Sequence, residues 1–127
     1  MGYSREVLDH FENPRNVGVI KGADVDVTVS NPACGDTVRL TLIIRKGVIT
    51  MARFKALGCV AAVASASRLT EVLTGLSLIQ AAGLKDEAIA ASLGGLPAEK
   101  VACSVLARQA VRSALAQHGR GIGPESD

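Results

Sequence analysis

VDVTV at Val25–Val29, VRLTLII at Val38–Ile44 and VITMARFK at Val48–Lys55 decide the fold. Apolar and polar residues alternate in the first two runs, which is the period of a strand with one buried face. A Pro/Gly-containing loop separates these two runs, and Lys46-Gly47 makes a tight turn before the third. Consecutive strands joined by short loops pair antiparallel. The sequence therefore predicts a three-stranded antiparallel meander.

The period changes after Gly58-Cys59, where a long run of small residues begins. Ala-rich composition predicts a buried helix that packs closely against the sheet. Ser4 caps a short N-terminal helix, and Pro97 suits the first turn of a long last helix. The predicted helices cover 5–12, with Val7, Leu8 and Phe11 on one face, then 60–76, 78–82, 86–93 and 97 to about 117. Strands followed by helices indicate an α+β fold with the helices on one face of the sheet.

The composition is that of a globular domain and argues against nucleic-acid binding. The 127 residues, 48% apolar and 20% charged, predict one globular domain over 1–127, with a frayed tail from about 119. Only Tyr3, Phe11 and Phe54 are aromatic, which argues against a stacking platform for single-stranded nucleic acid. A net charge of +2 is too small for a general phosphate-backbone binder.

The chain has three cysteines, at 34, 59 and 103. An odd number does not pair fully within one chain, so a secreted disulfide framework is not expected. The N-terminus has no apolar signal core, and no apolar run approaches the length that spans a membrane. We therefore expect a cytoplasmic protein whose thiols stay reduced.

Each cysteine lies in a loop or near the start of a helix among the predicted elements. Cys34 lies in the loop after the first strand and Cys59 in the loop after the third, and these loops meet at one end of a meander. Cys103 lies in the first turns of the last helix, on the face shared by Leu106, Ala107, Ala110, Val111 and Ala114. A helix start favours a thiolate through its partial positive charge, for Cys59 as for Cys103.

Simpler interpretations stand beside this one. A cysteine often serves as a small buried hydrophobe, and the spacings of 34, 59 and 103 are not those of a local metal knuckle. Asp36 is either a metal-ligating oxygen or a turn residue. His10 and His118 lie on amphipathic helices away from the cysteine loops, and we expect both at the surface.

Four stretches carry a family resemblance. They are Tyr3-Ser4 through Asp9-His10-Phe11 to Asn13-Pro14-Arg15-Asn16-Val17-Gly18, then Asn31-Pro32-Ala33-Cys34-Gly35-Asp36, Phe54-Lys55-Ala56-Leu57-Gly58-Cys59, and Leu96-Pro97-Ala98-Glu99-Lys100-Val101-Ala102-Cys103-Ser104. In this order they cover nearly the whole chain. The sequence resembles the U-type iron–sulfur cluster assembly scaffolds, the IscU/NifU N-terminal family.

The resemblance implies a function and a set of site residues. Cys34, Cys59 and Cys103 match the family's cluster-ligand and sulfur-acceptor cysteines, and Asp36 matches the aspartate associated with iron entry and cluster lability. Lys100 matches an auxiliary lysine of the same family. A scaffold of this kind accepts persulfide sulfur from a cysteine desulfurase, gathers iron, builds a labile [2Fe–2S] cluster and passes it to apo-proteins. It is not an enzyme in the usual sense, although sulfurtransferase activity is compatible with it.

Two departures from the family pattern matter. Ala102 stands where the family usually has His, so thiolates and one carboxylate remain as ligands. Asp36 then becomes the natural fourth ligand, with a partner's cysteine, an exogenous thiol or a second subunit of a homodimer as substitutes. Ala98 replaces the second Pro of the segment that Hsp70-type chaperones bind, which leaves chaperone-assisted release open.

Other functions fit the same residues. Three Cys and one Asp also suit Zn²⁺, so a zinc-binding sulfur acceptor that assists a desulfurase is the main alternative. A small interaction module with structural cysteines and no metal is a third. Among the thiols, we rank Cys103 first and Cys34 second as persulfide acceptors, because Cys103 lies at a helix start beside Lys100 and Cys34 on a loop.

Overall fold

The computed structural model describes residues 3–31, 35–94 and 101–122, with the backbone alone at 31, 86, 87, 90, 101–107 and 119–122. The elements are α1 (Arg5–Glu12), β1 (Val25–Asn31), β2 (Asp36–Arg45), β3 (Val48–Leu57), α2 (Val60–Leu73), α3 (Leu78–Ala82), α4 (Asp86–Ser92) and α5 (Val101–Ile122). Within these described ranges, no helix combines the length and apolarity needed to cross a membrane. The predicted α+β class is confirmed.

The three strands form one antiparallel sheet in the order β1-β2-β3. Lys46 and Gly47 join β2 to β3 with φ of 53° and 75°, the left-handed pair that a two-residue hairpin turn requires. One register shift, between Ile43 and Ile44, interrupts the β2–β3 pairing. The predicted meander is therefore confirmed, with β2 and β3 somewhat longer than the alternating runs alone indicated.

The core lies on one face of the sheet. Val27 pairs with Leu40 and Leu40 with Phe54, and all three side chains are buried. Helices α2 and α5 cover this face, and the α5 residues Ala110, Val111 and Ala114 are buried as the helical spacing predicted. Small residues on both helices let their backbones approach the strands closely.

Both edges of the sheet are partly closed. At the β3 edge, the Gly18 N–H donates to the Phe54 carbonyl at 2.8 Å, and the Phe54 N–H donates to the Asn16 carbonyl at 3.0 Å. At the β1 edge, the Gln117 side chain accepts from the Asp26 N–H at 2.9 Å and donates to the Asp26 carbonyl at 3.2 Å. These bonds satisfy strand groups that would otherwise template aggregation.

Three predicted helix ends need correction. Helix α4 ends at Ser92, one residue before the predicted 93. Helix α2 ends at Leu73, not at 76, because Gly75 takes φ of +97° and its N–H turns to the Ile49 carbonyl. Helix α5 continues to Ile122, so residues 119–122 are helical and the tail does not begin at 119. Gln117 anchors this end of the helix to β1, which explains why the helix persists. The tail residues 123–127, like the predicted helix start at Pro97, lie outside the described residues.

The expectation that both histidines lie at the surface is wrong. His10 is 7% exposed and His118 is 5% exposed. On α1 the buried residues are Val7 and His10, whereas Leu8 and Phe11 are about two-fifths exposed. The apolar pattern of α1 therefore misplaces its inner face, because His10 finds polar partners on α2 that bury it.

Candidate metal centre

One end of the sheet collects the predicted site residues. Asn31 at the end of β1 pairs with Asp36 at the start of β2, and Thr37 pairs with Leu57 at the end of β3. The loop after β1 and the connection from β3 to α2 therefore leave the sheet at the same end. This confirms the placement predicted from the order of the strands.

Asp36 and Cys59 are in contact across these two connections. The Cys59 N–H donates to Asp36 Oδ1 at 3.3 Å, and Cys59 Sγ lies 3.7 Å from Asp36 Oδ2. Asp36 is 4% exposed, while Cys59 is half-buried. A carboxylate and a thiol 23 positions apart in sequence thus form one polar pair.

The separation of the two side chains suits a shared metal ion. Two ligands on one tetrahedral metal, one sulfur at about 2.3 Å and one oxygen at about 2.0 Å, lie about 3.5 Å apart. The observed distance from Sγ to Oδ2 is 3.7 Å. The separation is therefore compatible with two ligands on one cation, and it is also that of a hydrogen bond from the Cys59 thiol to the carboxylate. Sulfur and carboxylate together accept iron or zinc.

Cys59 is the N-cap residue of α2, with φ of −75° and ψ of 172°. Its own side chain makes no capping bond, and the Asp36 carboxylate accepts the Cys59 N–H instead. The N-terminal end of a helix carries a partial positive charge that favours anions. Helix α2 thus supports negative charge on the ligands at this end of the sheet.

The backbone of Cys103 is directed to the same end. Gln117 contacts Asp26, and Ser113 lines the same groove as Thr28, so α5 runs antiparallel to β1. Cys103 precedes Gln117 by fourteen positions, about 21 Å of helix, while Asn31 lies about 17 Å of strand beyond Asp26. Helix α5 is long enough to bring Cys103 level with the Asn31–Asp36 pair.

The other predicted ligands fall outside what the structure describes. Cys34, Lys100 and the side chain of Cys103 are not among the described parts of the chain. Within those parts, no group of three or more His, Cys, Asp or Glu side chains is arranged to hold a metal. Of the predicted ligand set, the structure brings together Asp36 and Cys59.

Sequence reasoning assigned no packing role to the N-terminal residues beside this site. Tyr3 and Cys59 both pack against the buried pair Ala61 and Ala62. Ser4 accepts the Val7 N–H as the cap of α1, and its hydroxyl donates to the Leu93 carbonyl at the end of α4. The capping serine was predictable from its position, but no sequence signal reveals its second bond.

A shallow groove of about 450 Å³ lies on the open face of the sheet beside the site. Leu57, at the site end of β3, is 76% exposed. The groove is lined by Thr28, Thr37, Arg39, Lys55, Ala56 and Leu57. The groove thus carries one exposed apolar side chain, the Lys55 cation, and the Arg39 guanidinium, which is paired with Asp26 at 2.9 and 2.7 Å.

A second polar cluster, the His10 cluster, joins α1 to the middle of α2. His10 Nδ1 lies 2.7 Å from Ser67 Oγ, and His10 Nε2 lies 3.3 Å from Glu71 Oε1. Ser67 Oγ also accepts the Arg15 N–H at 2.9 Å. Since Nε2 faces a carboxylate, we assign the proton to Nε2, and Nδ1 then accepts the Ser67 hydroxyl. Burial lowers the pKa of His10, and the Arg15 guanidinium lowers it further, while Glu71 opposes this.

Sequence comparisons agree with this architecture. The family model of the NifU-like N-terminal domain matches residues 2–122. The iron-sulfur cluster assembly scaffold protein IscU of Buchnera aphidicola subsp. Baizongia pistaciae is 45% identical over 122 residues, covering 93% of this chain and 96% of that protein. The protein of the same name from Escherichia coli K12 is 44% identical over 122 residues, covering 93% and 94%. The chain belongs to the NifU-like N-terminal domain family.

A comparison of structures supports the fold independently. The crystal structure of a proposed SUF-system scaffold from Fervidobacterium islandicum AW-1 superposes with a TM-score of 0.72. The superposition covers 89% of this chain and 96% of that one, at 22% sequence identity. At this identity the match concerns the fold alone.

Proposed function

We propose that this protein is an iron–sulfur cluster assembly scaffold. It receives sulfur from a cysteine desulfurase, combines it with iron into a labile [2Fe–2S] cluster, and passes the cluster to apo-proteins in the cytoplasm. Cys34, Cys59, Cys103 and Asp36 are the proposed ligands. The family, and relatives named as IscU scaffolds over nearly their whole length, support this function.

The single observation that carries the proposal is the Asp36–Cys59 pair. A soft thiolate selects iron–sulfur clusters, Zn²⁺ or Cu⁺ over hard cations. A carboxylate at 3.7 Å from that sulfur adds a ligand that dissociates more readily than a thiolate. A site with such a ligand holds its cargo and also releases it, which is what a transfer function requires.

Sulfur transfer is a thiol–persulfide exchange. A scaffold thiolate attacks the terminal sulfur of the desulfurase persulfide, forming a scaffold persulfide and releasing the desulfurase thiolate. Conversion of that sulfur to sulfide then takes up electrons from a reductant outside this chain. We propose Cys103 as the first acceptor, with Lys100 nearby in sequence, and Cys34 as the second.

Lability depends on the fourth ligand in this proposal. With Ala102 beside Cys103, the chain offers no imidazole at the position where the family usually has one. Asp36 therefore completes the set within one chain, and a partner's cysteine or a second copy of the chain replaces it during transfer.

The desulfurase and the acceptor proteins both have to reach the cysteine end of the sheet. The open-face groove ends there at Leu57 and presents Lys55, together with Arg39 in its ion pair with Asp26. We propose this end, with the groove beside it, as the docking area.

Anaerobic assembly with ferrous iron, cysteine and a cysteine desulfurase tests the proposal. We expect a brown protein with visible absorbance and equal amounts of iron and acid-labile sulfide. Cys59→Ala should abolish the absorbance, whereas Gln109→Ala, an exposed change on α5, should not. A wild-type protein that binds neither iron nor sulfide would overturn the proposed function.

A zinc-binding sulfur acceptor is the second candidate, because the Asp36–Cys59 separation fits a tetrahedral zinc site equally well. In that case the protein isolated without oxygen is colourless and contains zinc. It also accelerates the desulfurase and forms persulfide, but it never accumulates acid-labile sulfide. Mass spectrometry of the persulfide in single Cys→Ser variants ranks the acceptor thiols in either case.

A further inference from the structure

Gly58 lies directly under the Asp36 carboxylate. A Cβ atom built on Gly58 would lie 2.6 Å from Asp36 Cγ, 3.0 Å from its Cβ, and closer still to Oδ1. Real Cβ atoms do not approach other heavy atoms this closely, so any side chain at position 58 displaces Asp36. The backbone of Gly58 has φ of +158°, which side chains also disfavour.

The contact separates Gly58 from most of the described glycines with positive φ, Gly94 beside Glu6 being another close case. Gly35, Gly47 and Gly75 also adopt left-handed backbone, yet a Cβ built at any of them meets nothing within 4 Å. At those positions the turn alone requires glycine. At Gly58 the turn and the position of a functional carboxylate both require it.

The Asp36 carboxylate has little room to move elsewhere. Asp36 is 4% exposed, and its backbone is fixed by pairing with Asn31 at the end of the sheet. A side chain at position 58 would turn the carboxylate away from α2. Both contacts with Cys59, the N–H bond at 3.3 Å and the 3.7 Å approach to Sγ, would then be lost.

We propose that Gly58 is a positioning residue: its lack of a side chain lets Asp36 lie against Cys59, so that the carboxylate and the thiolate bind the same metal ion. This proposal rests on the proposed function, since it assigns Asp36 and Cys59 to one metal centre. Gly58 has no side-chain ligand atom, yet it decides whether Asp36 and Cys59 bind one metal ion.

Co²⁺ binding under anaerobic conditions tests the proposal, with affinity read from thiolate-to-cobalt absorption and competition by Zn²⁺. Gly58→Ala should weaken binding by about tenfold or more, as much as Asp36→Ala does. Gly75→Ala, which strains a left-handed glycine in open space far from the site, should leave affinity within about twofold. The double variant Asp36→Ala/Gly58→Ala should bind no more weakly than Asp36→Ala alone.

Each result has a defined meaning. If Gly58→Ala binds Co²⁺ as Gly75→Ala does, or if its effect multiplies with that of Asp36→Ala, the positioning role is wrong. If Gly58→Ala does not fold while Gly75→Ala does, recovery of folding in the double variant supports the contact with Asp36, and failure to recover overturns it. Wild-type protein that binds neither Co²⁺ nor a cluster refutes the proposed function instead.

Discussion

Helix α2 meets a buried polar side chain at two places, and the two contacts differ in kind. In the middle of the helix, the His10 cluster joins His10, Ser67 and Glu71 through both nitrogens of the imidazole ring. At the start of the helix, Asp36 meets Cys59 through one bond of 3.3 Å and one approach of 3.7 Å. The first contact engages both ring nitrogens, at 2.7 Å and 3.3 Å. The second is longer on average and leaves Asp36 bonding capacity for a cation.

The difference shows how one helix serves two purposes. Ser67 is fully buried, so any loss of its bonds leaves polar groups without water or protein partners. Cys59 is half-buried at the end of the sheet, where a metal or a partner protein can reach it. The His10 cluster therefore fixes α1 on α2, while the Asp36–Cys59 pair stays ready for exchange. Changes to the first should alter stability, and changes to the second should alter binding.

The largest expected change in stability follows Ser67→Ala. This variant leaves His10 Nδ1 and the Arg15 N–H without their partner, so we expect the free energy of unfolding to fall by about 2 to 3 kcal/mol. Ser92→Ala is the matched control, because it removes a hydroxyl that, among the described residues, bonds to the Ile89 carbonyl within α4. Urea unfolding followed by circular dichroism measures both. Equal losses in the two variants would contradict the role of the His10 cluster.

A smaller effect should appear on acidification. The pKa of His10 is lower in the folded state than its ordinary value, so the fold favours the neutral ring. This stabilisation is present above the ordinary pKa of about 6.5 and is lost as the pH falls towards the lower folded value. The charged groups that act on the ring are Asp9, Arg15, Arg68 and Glu71.

Comparison of wild type with His10→Asn isolates this effect. Between about pH 7.5 and about pH 5.5, the wild-type free energy of unfolding should fall further than that of the variant. The other titratable groups are common to both proteins and cancel in the difference. Parallel pH profiles would show that His10 titrates alike in the folded and unfolded chains.

The smallest stability effect is expected at the metal centre. Asp36→Asn keeps an oxygen that accepts the Cys59 N–H, so the free energy of unfolding should change by less than about 1 kcal/mol. Affinity for Co²⁺ should nevertheless fall by about tenfold, because the anionic ligand is lost. Asp26→Asn, the same change at an exposed carboxylate paired with Arg39, should leave the affinity unaltered. A larger loss of stability than of affinity would mean that Asp36 is structural.

The sequence predicts the sheet well because alternation directly reports a half-buried strand. It also predicts that the loops after β1 and β3 share one end, since this follows from the order of antiparallel strands. The burial of His10 was mispredicted because its partner Ser67 lies 57 positions away, and the helical pattern of α1 alone ranks Leu8 and Phe11 as more apolar. Polar side chains become buried when a distant element supplies partners, and local periodicity does not encode that.

The candidate site was predictable only in part for the same reason. Cys59 at a helix start and Asp36 after a turn follow from local sequence, but the distance between them depends on the register of β2 against β3. The close approach of Gly58 to the Asp36 carboxylate depends on that register too. A glycine before a cysteine predicts a turn. Only the folded structure shows that the Asp36 side chain packs against this glycine.

The Gln117 amide has a consequence for how this molecule behaves in a crowded solution. Its side chain offers an N–H donor and a carbonyl acceptor side by side, and it bonds to both backbone groups of Asp26. The Gln117 side chain thus makes the two hydrogen bonds with Asp26 that a residue of a fourth strand would make. Before two molecules could join through β1 at this point, the end of α5 would have to detach. Self-association into extended sheets is therefore opposed by the last helix of the chain.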